Sequence, residues 1–105
     1  GQKGSIEWIL TPPVVHNEAA VTKVVKSVTE KFATVVTPEV TLGAEDFANY
    51  MEHVPGCFVF VGTGCPREWH HPAFLVDDAA LPFAIQYFVD NTHALLEELS
   101  QKGNA

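Results

Sequence analysis

Two adjacent imidazoles, His70 and His71, stand in the run Trp69-His70-His71-Pro72, eight residues past the apolar stretch Cys57-Phe58-Val59-Phe60-Val61-Gly62. Imidazole is the commonest neutral metal ligand, and Pro72 stiffens the backbone behind it, which favours a preset direction for a ligand. Neighbouring side chains in an extended loop point apart, so at most one of the pair serves a single ion. The plain alternative is two partly exposed loop histidines with no metal. No other His/Cys/Asp/Glu cluster has ligand spacing, and a metal site needs three or four ligands. A second candidate is Gly43-Ala44-Glu45-Asp46, which opens a short helix. Free backbone N–H groups at such a turn can receive a substrate carboxylate, whereas Glu45 and Asp46 are accounted for as capping carboxylates rather than an acid/base pair. Cys65 has no base partner set by sequence, and Cys57 reads as core. His16, His53 and His93 are scattered.

The elements that position these residues alternate. Ser5 to Leu10 reads as a strand, and Thr11-Pro12-Pro13 as a stiff connector. Asn17 is a good N-cap, and Val21, Val24, Val25, Val28 and Phe32 recur at helical spacing, so a helix is predicted over about Glu18 to Phe32. Thr34 to Thr41 reads as an edge strand interrupted by Pro38. A short helix with Phe47, Tyr50, Met51 and Val54 follows and ends at Pro55-Gly56. The unbroken apolar run Cys57 to Val61 reads as a strand covered on both faces. Asp77-Asp78 caps a long final helix carrying Leu81, Phe83, Ala84, Ile85, Phe88, Leu95, Leu96 and Leu99, and the polar tail from Gln101 to Ala105 is expected to fray. The order β, α, β, α, β, α predicts an α/β fold, a layered mixed sheet with helices. Ligands in such folds bind beyond the carboxyl ends of the strands, which is where His70 and His71 fall.

Composition bounds the function. The 105 residues suit one domain, and 47% hydrophobic with 18% charged residues describe a globular chain. A formal charge of −7 argues against nucleic acid and anionic membrane as partners. No segment reaches the roughly 20 apolar residues of a membrane span. Two cysteines make a weak case for a disulfide, and a reducing, cytoplasmic setting is the default expectation.

Four motifs in order carry a resemblance: Leu42-Gly43-Ala44-Glu45-Asp46-Phe47, Val54 to Gly62, His70-His71-Pro72-Ala73-Phe74, and Asp77-Asp78-Ala79-Ala80-Leu81-Pro82. Together they resemble the C-terminal part of the metal-dependent amidohydrolases that include hippurate hydrolase, N-acyl-amino-acid deacylases and auxin-conjugate hydrolases, relatives of the zinc exopeptidases. The resemblance implies that residues 1–13 are the end of a lid or dimerisation domain and its linker, and that residues 14–105 are the C-terminal part of a catalytic domain. It implies hydrolysis of the amide of N-acyl amino acids or small peptides by a water held on zinc or manganese, one ion or two. It places His70 at the ligand position of a Leu-His-Ser-Pro-like motif, with His71 where serine is usual. Gly43, Ala44 and Glu45 fall in a loop at the wall of the active site. The family's other ligands and its glutamate base lie upstream of the matching portion, so the isolated chain is expected to be inactive and to hold no metal tightly, and the sheet edge and apolar surface left bare without that portion are expected to make it self-associate. The competing expectation is a stand-alone α/β module that binds a protein partner without catalysis.

Overall fold

The computed structural model describes residues 1–103. Among the described residues three helices form: α1 (Ala19–Thr29), α2 (Phe47–Met51) and α3 (Ala80–Gly103). All three stand where the apolar spacing puts them, although α1 ends three residues before Phe32. Helix α3 runs through Gln101 to Gly103, residues expected to fray; Asn104 and Ala105, the rest of that tail, lie outside the described residues.

The predicted sheet does not form. Among the described residues there is no strand, so the layered mixed α/β arrangement is incorrect for this chain. A strand is a paired state, and sequence pattern marks only the segments able to enter it. Residues 5–10 belong to no helix or strand, and Trp8 and Leu10 are almost fully exposed. Residues 35–38 and 57–62 line one groove of about 780 Å³ without hydrogen bonding to each other.

What holds residues 57–62 instead is one side chain. The Asn17 carboxamide accepts the Phe58 N–H at 2.8 Å and donates through Nδ2 to the Phe58 carbonyl at 2.9 Å. It thus presents to Phe58 the donor and acceptor that a neighbouring strand would. The adjacent Glu18 N–H donates to the Gly56 carbonyl at 2.9 Å. Asn17 is therefore not the cap of α1, as its residue type suggests. That place is taken by Glu18, whose carboxylate accepts the Val21 N–H at 2.8 Å. Backbone N–H groups of Ala20 and Val21 hold the Glu18 carboxyl below its ordinary range. The cap is complete above that range and weakens as pH falls through it.

Helix α1 packs on α3. Val25 and Val28 are buried from α1, and Asn91 from α3. Asn91 donates through Nδ2 to the Tyr87 carbonyl at 2.8 Å and to Thr29 Oγ1 at 3.2 Å, while its buried Oδ1 has no partner among the described residues. Ala84, Tyr87, Asn91 and Leu95 form the more covered side of α3. A second apolar stripe, Leu81, Ile85, Phe88, Leu96 and Leu99, stays between 50% and 67% exposed. A helix apolar on two sides is the pattern of a helix covered on two sides, and here one is bare.

Loss of the Asn17 amide leaves the Phe58 N–H and carbonyl unpaired in a partly buried place. Asn17→Ala is expected to lower stability by about 2 kcal/mol. Asn17→Asp keeps the acceptor for the N–H but sets a carboxylate against the carbonyl, and should fall at least as far. Chemical denaturation of the three proteins checks both; an unchanged midpoint in Asn17→Ala would remove the clamp from the account.

Candidate functional site

The loop that carries His70 is tied at both ends by Asp77. The Asp77 N–H donates to the Thr63 carbonyl at 2.9 Å, closing the loop. Asp77 Oδ1 accepts the Ala79 N–H at 2.9 Å, and the Asp77 carbonyl accepts the Ala80 N–H at 2.8 Å, which starts α3. Gly64 sits directly beneath, with φ +72°, and a Cβ there would stand 3.3 Å from the Asp77 Cβ. The left-handed backbone favours glycine, and a Cβ there would need Asp77 to give by a few tenths of an ångström.

His70 and His71 differ in every local respect but exposure. His71 is built into a turn: its Nδ1 accepts the Ala73 N–H at 3.0 Å, and its carbonyl accepts the Phe74 N–H at 2.9 Å. The His70 side chain makes no hydrogen bond among the described residues and is exposed. Its backbone has φ +69°, the left-handed region, which costs a non-glycine residue about 1–3 kcal/mol. The preceding Trp69 lies flat on Phe60, with ring centroids 5.2 Å apart and planes 6° from parallel.

The turn at Gly43-Ala44-Glu45 is laid out differently from the sequence expectation. Gly43 and Ala44 are exposed, and Glu45 is half-buried. Glu45 Oε1 accepts the Phe47 N–H at 3.1 Å, and the Glu45 carbonyl accepts the Ala48 N–H at 3.1 Å. Glu45, not Asp46, supplies the side-chain bond at the start of α2, since Asp46 makes none. The Gly43 N–H points to Thr41 Oγ1 at 3.4 Å, a long contact.

The turn and the His70 loop are connected through aromatic rings rather than hydrogen bonds. Phe47 of α2 meets Phe58 at 5.9 Å, Phe58 meets Phe60 edge-on at 5.3 Å, and Phe60 carries Trp69. Neither His70 nor Gly43, Ala44 and Glu45 lines the groove beside residues 57–62. Tyr87 and Cys57 do line it. Burial, and then the nearby Cys57, push the Tyr87 hydroxyl's pKa up. Sequence reasoning gave Trp69 and Phe60 no role of their own at the site and read Asn17 only as a helix cap. The alternating Phe58-Val59-Phe60 pattern placed both phenylalanines on one side, which was the available signal for the ring row.

A catalytic zinc site takes three protein ligands with an open position. Among the described residues no group of three or more His, Cys, Asp or Glu side chains is placed to hold a metal ion. The described residues alone therefore do not fit a complete divalent-metal site. His70 is a single unengaged imidazole, a donor suited to zinc or manganese.

The sequence profile of peptidase family M20/M25/M40 matches residues 3–93, most of the chain. The chain belongs to this family. Curated relatives of the M20/M25/M40 chain include the N-acetyl-L-cysteine deacetylase of Bacillus subtilis (strain 168), 36% identical over 96 residues, covering 90% of this chain and 23% of that protein. A second protein of that strain, an N-acetylcysteine deacetylase, is 36% identical over 100 residues, 94% of this chain and 26% of its own length. Thermostable carboxypeptidase 2 of Saccharolobus solfataricus (strain ATCC 35092 / DSM 1617 / JCM 11322 / P2) is 36% identical over 74 residues, 66% of this chain and 19% of its own. The M20/M25/M40 chain thus spans about a quarter of the length of the two deacetylases. No solved structure gives a significant match.

Proposed function

We propose that this chain is the C-terminal, His70-bearing part of a metal-dependent amidohydrolase acting on the amide of N-acyl amino acids or small peptides. The observation that carries the reading is the family match over residues 3–93, alongside relatives named as deacetylases of N-acetylcysteine. Zinc or manganese, one ion or two, supplies the Lewis acidity of this class when bound. His70 is this chain's contribution to holding it. Its unengaged, exposed ring supports that role, whereas His71 is occupied by its own turn. Gly43, Ala44 and Glu45 are proposed to wall the substrate, with Glu45 acting through the start of α2 that it caps. No ligand partner and no general base for the reaction is assigned among the described residues, so the isolated chain is proposed to be inactive.

The division at residue 13 belongs to the same reading. Residues 1–13 are proposed as the end of a lid or dimerisation domain with its linker, and the exposure of Ile6, Trp8 and Leu10 supports their belonging to a separate layer. Cytoplasmic residence is proposed on the unpaired Cys57 and Cys65, which suit a reducing compartment. No helix among the described residues is long and apolar enough to cross a membrane.

The test uses the full-length protein with zinc or manganese, offered a panel of N-acetyl amino acids and dipeptides. Release of free amino acid, lost on chelation and restored by metal, is the expected result. A full-length, metal-loaded protein that cleaves none of the panel would overturn the reading.

A further inference from the structure

We infer that the Trp69–Phe60 ring stack positions His70 by holding the Glu68–His71 turn in which its backbone is left-handed. The inference deepens the reading of His70 above and rests on it only for the consequence in hydrolysis.

The restraints on the loop are unevenly distributed about His70. On its C-terminal side, the Ala73 N–H bonds His71 Nδ1 and the Phe74 N–H bonds the His71 carbonyl, which fixes residues 71–74 relative to one another. Neither bond constrains the φ of His70. The one hydrogen bond spanning it among the described residues, from the His71 N–H to the Glu68 carbonyl at 3.2 Å, closes a four-residue turn with His70 in its third place, a place that accepts positive φ. A left-handed histidine is held at a cost that one such hydrogen bond offsets only in part, so a further restraint is called for. That further restraint is found on the N-terminal side, where Trp69 lies flat on Phe60 at 5.2 Å and 6°. With the indole plane fixed, rotation at residue 70 would have to swing the already closed 71–74 turn instead.

Phe60 is itself anchored. Its ring meets Phe58 edge-on at 5.3 Å and 89°, and the Phe58 backbone is gripped by both ends of the Asn17 carboxamide. A line of contacts thus runs from the residue before the cap of α1 to His70 through Asn17, Phe58, Phe60 and Trp69. Exposure of Trp69 and Phe60, 55% and 53%, would leave a stack without such a role as unprotected apolar surface.

The experiment uses the full-length protein with isotopically labelled histidine, and reads the Cα and Cβ carbon shifts of His70, assigned by their disappearance in His70→Asn. Loss of a stack of this kind shifts a local equilibrium by about fivefold. Trp69→Ala and Phe60→Leu are both expected to move the His70 shifts from left-handed toward extended values. Trp69→Phe, which keeps a ring on Phe60, should leave them in place. In hydrolysis, the first two should lower kcat by about tenfold with KM little changed, as loss of an orienting neighbour does. Should Trp69→Ala not fold, Phe60→Leu carries the same test with its apolar volume kept. Unchanged His70 shifts in Phe60→Leu or in folded Trp69→Ala overturn the positioning role, whatever the activity. Shifts that move while kcat holds would uphold it and remove His70 from the reaction instead, so the two readings fail separately.

Discussion

Replacing His70 by alanine in the full-length protein is expected to cut N-acyl-amino-acid hydrolysis by about a hundredfold or more and to lower its metal content, because even residues that only orient a ligand cost 10–100-fold. His71→Ser is expected to stay near the parent in both. The physical reason is on the C-terminal side of the turn. His71 uses Nδ1 to accept the Ala73 N–H at 3.0 Å, and a serine hydroxyl two residues before that N–H can accept it in the same way. Alanine at 71 has no acceptor and should loosen the turn, so His71→Ala is expected to fall between the other two. Metal per protein by elemental analysis and hydrolysis rates for the three variants decide the matter. Equal losses in His70→Ala and His71→Ser would mean that the ligand position has been given to the wrong neighbour. Near-parent activity in His70→Ala would withdraw the ligand role.

The contrast between the two histidines shows how far the sequence reaches. Their type, their adjacency and Pro72 were enough to suspect one of them, but the turn that occupies His71 and the left-handed backbone of His70 are properties of a closed loop. The stack behind them joins residues nine positions apart, and neither residue's type announces the other. Helices were legible because their hydrogen bonds and their apolar spacing are both local: Val25 and Val28 of α1 are buried as the spacing requires. Strands were not, because extended apolar runs become strands only against a partner in register. Residues 57–62 have the composition of a central strand and find only Asn17, from 41 positions away. Asn17 itself was assigned by residue type to capping, a local use, when its amide serves a long-range one and leaves the cap to Glu18.

Surface area leads to the second large effect, association of the isolated 105-residue chain into dimers or larger species. A folded monomer of 11.5 kDa exposes about 5,800 Å² by the usual scaling. This chain exposes 9267 Å². The radius of gyration, 18.1 Å against about 13 Å for a compact chain of this length, agrees with a spread-out body. The excess area is roughly twice the 1,600 Å² or so that a standard interface buries, so surface is ample for one. Much of it is apolar: Leu42, Val40 and Leu10 are almost fully exposed, and α3 presents Leu81, Ile85, Phe88, Leu96 and Leu99 along one side. Charge opposes association, since each chain carries −7, but charges spread over a surface are screened beyond about 10 Å at 0.1 M salt, whereas apolar contact is not. At micromolar concentration and moderate salt, light scattering is therefore expected to give a mass of at least twice 11.5 kDa. The double substitution Ile85→Glu with Leu96→Glu adds charge to the bare side of α3 without touching the Asn91 side that packs on α1, and should move the mass toward the monomer. A monomeric parent chain would show that the exposed stripe does not drive association, and an unchanged oligomer in the double variant would move the interface to another exposed segment, with Leu10, Val40 and Leu42 next to be tested.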